Sequence, residues 1–180
     1  GKGVTFDSGG LSLKRGERMK TMKHDMAGGA AVLGAMSAIA SMDLKVNVIG
    51  IIPACENMLS GNSYRPGDII NSMAGKSILI GSTDAEGRLT LIDAIHYAIE
   101  KENVTKLVDI ASLTGVARTN FGAITTAVLC NDDELYAKLQ SASERANEKI
   151  WRMPMFDEYK DCLKSDIADL VNTAGEAGMI

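Results

Sequence analysis

The chain has 180 residues, 46% of them apolar, 23% charged and 4% aromatic, which suits one globular domain with a core and argues against disorder. Nineteen Lys and Arg face 23 Asp and Glu, a formal charge of −4, so no overall positive field exists to hold nucleic acid or an anionic membrane. No run of about 18 apolar residues is present to span a bilayer, and the start does not read as a signal peptide. Cys55, Cys130 and Cys162 are odd in number, far apart and without a C-x-x-C pair, which predicts reduced core thiols and a cytoplasmic setting. The opening at Gly1 and the apolar start at Met179-Ile180 read as the ends of a fragment.

Residues 4–6 read as the tail of a strand that enters a Gly-rich loop at Asp7-Ser8-Gly9-Gly10. Gly28-Gly29-Ala30-Ala31 opens a small-residue helix running to about Met42 and packing closely. Residues 46–53 (VNVIGIIP) are almost wholly apolar, as expected of a central strand covered on both faces. A long loop follows over residues 55–67, then two short strands at 68–71 and 77–80 pair around Ala74-Gly75. Leu91, Ile92, Ile95, Ala98 and Ile99 follow a 3.6-residue period, so an amphipathic helix spans residues 89–100 with His96 on its surface. Residues 106–111 and 123–129 read as strands, and 131–147 as a polar helix with Asp132 or Asp133 near its N-terminus. This alternation predicts an α/β fold, a layered mixed and largely parallel sheet flanked by helices, with residues 163–180 ambiguous.

Several familiar motifs fail at one position. A phosphate loop ending at Gly75-Lys76-Ser77 needs glycine at Ile70, and both the dinucleotide fingerprint from Gly1 and a hydrolase elbow at Ser8 need glycine at Phe6. The two histidines, His24 and His96, form no H-E-x-x-H pair and give little support to a His-ligated zinc site or a Ser-His-Asp triad.

What stands out is the placement of four carboxylates at element junctions: Asp7 at a strand end, Asp25 before the Gly28 helix, and Asp84 with Glu86 before the Leu89 helix. In α/β folds such loops meet beyond the carboxyl ends of strands. Four converging carboxylates repel one another unless cations balance them, and hard oxygen ligands suit divalent metals. A metal pair about 3.5–4 Å apart lowers the pKa of a shared water and polarises a carbonyl, which is hydrolytic chemistry. Taken singly, each has an ordinary reading: Asp7 as a turn former, Asp25 and Asp84 as caps, Glu86 as a solvated charge. Lys2, Lys14 and Arg88 lie beside these acidic loops and can serve carboxylates, substrate or a developing oxyanion.

At these residues the sequence closely resembles the leucyl aminopeptidase (cytosol aminopeptidase) family of dinuclear-metal exopeptidases. The resemblance lies in Gly1-Lys2-Gly3-Val4-Thr5-Phe6-Asp7-Ser8-Gly9-Gly10, in Met22-Lys23-His24-Asp25-Met26 before Gly28-Gly29-Ala30, and in Thr83-Asp84-Ala85-Glu86-Gly87-Arg88-Leu89. Ser82 stands where the last motif usually begins with Asn. Cys55-Glu56-Asn57-Met58, Arg65-Pro66-Gly67-Asp68, Ser112-Leu113-Thr114-Gly115 and Trp151-Arg152-Met153-Pro154 extend the match over the whole chain.

The resemblance implies that Asp7 and Glu86 bridge two divalent metal ions, with Lys2 and Asp25 completing one site and Asp84 the other. Zinc or manganese is expected, and magnesium or cobalt suits the same donors. Lys2 would ligate as a neutral amine; a salt-bridged Lys2 is the alternative. Lys14 would stabilise the tetrahedral intermediate and Arg88 would hold a bicarbonate acting as general base. The backbones of Leu113 and Gly115 would bind the substrate main chain. Met22 and Ser112 would line an apolar pocket for the first side chain, with Met22 as ordinary core the alternative. The resemblance further implies peptide substrates with a free N-terminus, a homo-hexamer, and residues 1–180 as a partial catalytic domain lacking the family's N-terminal domain and C-terminal end. A catalytically silent fragment serving as a structural or nucleic-acid-binding module is the competing reading.

Overall fold

The first strand, β1 (Gly3–Asp7), runs parallel to β2 (Ala54–Asn57), and its pairing is interrupted by a bulge between Val4 and Phe6. The extra residue brings Asp7, rather than Phe6, opposite Asn57. The computed structural model in which this is seen describes residues 1–174. It divides into one unit of Gly1–Leu113 with Lys164–Thr173 and a second built mainly from Thr114–Leu163.

In the first unit a short helix α1 (Gly16–Met19) and a 3-10 turn (Met22–His24) lead to α2 (Ala27–Ser41). Gly28 and Gly29 are buried at the start of α2, where an ideal Cβ on Gly28 would lie 2.0 Å from the Ile110 carbonyl oxygen and one on Gly29 2.8 Å from Ile52 Cγ2. The Gly29 N–H donates to the Lys2 carbonyl at 2.7 Å, so a free helix N-terminal donor is used to hold the backbone of β1's entrance. Strands β3 (Ile69–Asn71) and β4 (Ser77–Leu79) form the expected hairpin, with Gly75 at φ 75° in its turn, and β7 (Leu170–Val171) joins β4 in parallel. The predicted amphipathic helix is α3 (Gly87–Glu100); it buries Leu91 and Ala98, half-buries His96 and leaves Ile92 and Ile99 exposed.

The second unit holds α4 (Gly115–Phe121), β5 (Thr125–Val128), α5 (Asp133–Ala146) and β6 (Lys149–Arg152), with β5 and β6 parallel. Asp132 caps α5 by accepting from Leu135 N at 2.9 Å, and Asn147 ends the helix in the left-handed region at φ 56°. A 3-10 helix (Asp157–Leu163) follows β6.

The architecture is therefore α/β with mostly parallel pairing, but among the described residues the strands form three small sheets instead of one. The expected strand at residues 46–53 makes no ladder among the described residues. Its contacts to β1 and the two residues before it are single hydrogen bonds, from the Gly1 amino group to Ile51 O at 2.9 Å and from Gly3 N to Pro53 O at 3.2 Å, and regular pairing starts only at Ala54. Val46, Val48 and Ile49 are exposed. Residues 106–111 likewise make no ladder, and Ile110 O accepts from Lys2 N, just before β1, at 3.0 Å. The three cysteines are free and half-buried rather than core. Among the described residues no helix is long and apolar enough to cross a membrane. The end of the ambiguous segment 163–180, with its apolar start at Met179-Ile180, lies outside the described residues from 175 on.

Candidate metal centre

The buried apolar side chains among the described residues are five, Val4, Ile78, Ile80, Leu91 and Ala98, while eight polar or charged residues are equally buried. The best-covered part of the first unit is thus polar, and it is where the acidic loops meet.

Three turns build it. At the end of β1, Gly9 (φ 86°) and Gly10 (φ 62°) bend the chain in the left-handed region, and a Cβ on Gly9 would meet Ser12 O at 2.4 Å. Gly9 N donates to Asp7 Oδ1 at 2.9 Å, the local turn expected of an aspartate there. Lys14 N donates to Ser8 O at 2.9 Å, which returns the Lys14 side chain to the loop: its Nζ lies 2.8 Å from Asp7 Oδ2 and also contacts Asp84 Oδ1.

The acidic turn before α3 hangs on Thr83, which is fully buried. Its hydroxyl donates to Gly9 O at 2.5 Å and accepts from Ser12 N at 2.8 Å, while its carbonyl accepts from Asn57 Nδ2 and Tyr64 Oη, both at 2.9 Å. Asn57 Nδ2 also donates to Asp7 Oδ1 at 2.8 Å, so one amide ties β2 to both acidic loops. Ser82 Oγ accepts from Asp84 N at 3.2 Å, so serine at this position still makes a side-chain-to-backbone turn contact two residues on. Buried Asn172 braces the same turn with both ends of its amide. Oδ1 accepts from Gly81 N at 2.8 Å and Ser82 N at 3.3 Å, and Nδ2 donates to Ser82 O at 2.8 Å and Ala85 O at 3.3 Å.

The third turn carries Asp25, between the 3-10 turn and α2. Lys2 is 3% exposed, and its Nζ lies 2.9 Å from Asp25 Oδ2 and 2.7 Å from Glu86 Oε1. Gly87 makes room for it, since a Cβ there would come within 2.5 Å of Lys2 Cε. Ser112 Oγ donates to Asp25 Oδ1 at 2.7 Å, and Lys2 Nζ donates to Ser112 O at 3.4 Å.

The charges are under opposing pressures. Burial works against the Lys2 ammonium, but Glu86 and Asp25 outweigh it and hold its pKa above the ordinary value. Lys14 is raised in the same way, burial being outweighed by Asp7 and Asp84. Burial pushes Asp7 up, yet hydrogen bonds from Lys14, Asn57 and Gly9 bring it below the usual carboxylate range. Glu86 and Asp84 are raised by burial, only partly offset by Lys2 and Lys14 respectively, with Asp7 adding repulsion to each. Burial lowers the Arg88 guanidinium against the pull of Glu86.

Asp7, Asp84 and Glu86 each offer an oxygen within 4.8 Å of the others. Two buried oxygens nearby, Asp25 Oδ2 and Glu86 Oε1, accept no hydrogen bond of proper geometry although Lys2 Nζ is within ion-pair distance of both. Four carboxylates share two ammonium groups, so negative charge and unused lone pairs remain in a sheltered place, which fits divalent cations. Arg88 Nε is also buried without a partner, which fits a small anion beside the cluster.

The structure therefore gathers Lys2, Asp7, Lys14, Asp25, Asp84, Glu86 and Ser112 around one centre. Met22 is half-buried on the turn before Asp25, Leu113 is 39% exposed directly after Ser112, and Gly115 opens α4 in the second unit. Sequence reasoning gave no role to Asn57, Thr83, Tyr64 or Asn172. Asn57 and Thr83 sat inside recognised motifs, whereas Tyr64 and Asn172 carried no signal.

Comparison with known proteins agrees in extent with these motifs. The family model described as "Cytosol aminopeptidase family, catalytic domain" matches residues 1–180. The chain is 56% identical over 181 residues to a probable cytosol aminopeptidase of Clostridium perfringens (strain 13 / Type A), an alignment covering 100% of this chain and 37% of the relative. It is 57% identical over 178 residues to one of Alkaliphilus oremlandii (strain OhILAs), covering 99% and 35%, and 52% identical over 177 residues to one of Nitrosospira multiformis, covering 98% and 34%. The chain thus spans about a third of the length of these curated relatives.

Proposed function

Because the chain belongs to the cytosol aminopeptidase family, we propose that residues 1–180 form the metal-binding part of the catalytic domain of an aminopeptidase that releases N-terminal, Leu-like apolar residues from peptides. The observation that carries this reading is the meeting of buried Asp7 and Glu86 with exposed Asp84, beside buried Asp25, with oxygens of Asp25 and Glu86 that no hydrogen bond satisfies. Lys2, Asp7, Asp25, Asp84 and Glu86 are the ligands we assign, for two ions of zinc or manganese, with magnesium and cobalt suited to the same donors. When bound, such ions supply Lewis acidity to the scissile carbonyl and lower the pKa of a water.

The chain's own groups do the rest. Lys2 ligates only as a free amine, so its proton must leave as cation charge replaces ammonium charge between Asp25 and Glu86. Lys14 stays protonated near neutral pH, its pKa being raised, and offers that charge to the oxyanion of a tetrahedral intermediate. Arg88, with Nε unpartnered, would hold a small anion such as bicarbonate, which when bound would supply a general base. Leu113 and Gly115 backbones hold the substrate main chain, and Met22 with Ser112 borders the first side chain. Assembly as a homo-hexamer and a cytosolic setting belong to the same proposal, the latter supported by the names of the relatives.

The test is metal per chain after incubation with manganese or zinc and desalting, beside an Asp84→Ala/Glu86→Ala variant. About two ions per chain, lost in the variant together with hydrolysis of a leucyl anilide, is the expected result. Equal retention by both proteins refutes the ligand assignment.

A further inference from the structure

Ser112 serves two residues of the site with two different atoms. Its hydroxyl donates to Asp25 Oδ1 at 2.7 Å, a charge-assisted bond, and its carbonyl accepts from Lys2 Nζ at 3.4 Å. Asp25 therefore has one oxygen tied to the protein and the other, Oδ2, free of hydrogen bonds and 2.9 Å from Lys2 Nζ. Asp7 is divided in the same way: Oδ1 is taken by Gly9 N and Asn57 Nδ2, and Oδ2 faces Lys14. In each case hydrogen bonds to one oxygen, one at Asp25 and two at Asp7, fix which oxygen is left to bind.

The backbone that carries Ser112 is also fixed. Two residues earlier, Ile110 O accepts from Lys2 N at 3.0 Å and lies so close to α2 that a Cβ on Gly28 would meet it at 2.0 Å. Lys2, the start of α2 and Ser112 are thereby held in one arrangement. A neutral amine has two N–H bonds and one lone pair, so a carbonyl that accepts one N–H restricts where the lone pair points.

We propose that Ser112 is a positioning residue for the Lys2–Asp25 half of the metal centre: its hydroxyl holds Asp25 Oδ1 and its carbonyl holds an N–H of Lys2, so that Asp25 Oδ2 and the Lys2 nitrogen are presented to one cation. This is a role apart from lining a side-chain pocket, and it rests on the metal reading given above. The Asp84 half of the centre has its own supports in Lys14 and Ser82, so Ser112 acts on one of the two ions.

The test is a Co2+ titration of the full chain as wild type, Ser112→Ala and Ser112→Thr, followed by calorimetry and the visible ligand-field spectrum, with thermal melts of the metal-free proteins. The expected result is two ions in the wild type. In Ser112→Ala one ion keeps its affinity while the other weakens by about 10–100-fold with a changed spectrum, as for other groups that orient ligands. Ser112→Thr, which keeps the hydroxyl, restores both, and the three metal-free melts coincide. Unchanged binding in Ser112→Ala overturns this inference alone. Equal weakening of both ions, or no recovery in Ser112→Thr, overturns it too, as the mark of a general structural effect. No Co2+ uptake by the wild type overturns the metal reading and this inference with it.

Discussion

Gly28 and Gly34 lie on the same helix, and alanine at each is expected to act in opposite directions. Alanine in place of a helical glycine gains about 0.5–1 kcal/mol through the unfolded chain, at most this much near the helix start. At Gly34 nothing lies within 4 Å of the new Cβ, so that gain is kept. At Gly28 the new Cβ falls 2.0 Å from Ile110 O, a backbone atom that no side-chain rotation can move aside. Relief requires a shift of over about 1 Å between α2 and the 106–112 segment, and overpacking of this kind costs about 1–3 kcal/mol or more. The same shift strains the Lys2 N to Ile110 O hydrogen bond. A net loss of about 1–2 kcal/mol is expected for Gly28→Ala, which for a chain of this size lowers Tm by about 2–8 °C. Gly34→Ala raises Tm by about 2 °C. Urea and thermal unfolding of both variants decide the matter. If Gly28→Ala melts at or above the wild type, the close approach on which the placing of Lys2 and Ser112 depends is not what holds this region.

Asn172→Asp keeps the shape of the brace on the acidic turn but turns its donor into an acceptor facing Ser82 O and Ala85 O. A loss of about 1–3 kcal/mol per carbonyl left unpaired is expected, read as a lower urea midpoint with unchanged m-value. Asp169 accepts from Ser77 N at 2.8 Å and Ser77 Oγ at 2.9 Å, first the backbone and then the hydroxyl bond holding its carboxyl below the ordinary range. Its folded-state pKa being depressed, its stabilisation is present above the unfolded value of about 4 and fades as pH falls through the folded value. Asp169→Asn should therefore flatten the acid side of the stability profile, measured as urea midpoint against pH, and leave the neutral side with the smaller pH dependence.

The elements legible in the sequence were those whose signal is local. The Asp7 turn, the glycine start of α2, the hairpin about Gly75, the 3.6-residue period of α3 and the Asp132 cap of α5 all depend on residues within one or two turns of chain. Residues 46–53 and 106–111 misled for a physical reason. An apolar β-prone run says that a segment suits a buried extended path, while a ladder needs a neighbour in register along its length. Each of these runs meets residues 1–3 by only one or two backbone hydrogen bonds, and most of their large apolar side chains stay exposed.

The site divides along the same line. Its carboxylates could be singled out because each sits where a strand or turn hands over to the next element, a position the topology of α/β folds makes functional, whereas the roles of Lys2, Lys14 and Arg88 came only with the family resemblance. Their supports could not, because they act across the chain: Asn57 reaches Asp7 50 residues away, Thr83 reaches Gly9 74 away, Ser112 reaches Asp25 87 away and Asn172 reaches Gly81 91 away. No periodicity connects such pairs. Yet these uncharged groups decide which carboxylate oxygens are spoken for and which remain free. Desolvation of Glu86 and Asp84, which raises both, is only partly offset by the two lysines, and the neutral hydrogen bonds of Asn57, Thr83 and Asn172 fix the turns that carry these charges. A fold that buries Lys2, Asp7, Asp25 and Glu86 to within a few per cent of full cover, as closely as Ile78, Leu91 and Ala98, is one in which the neutral scaffold is arranged around the charged centre as much as around the small apolar core.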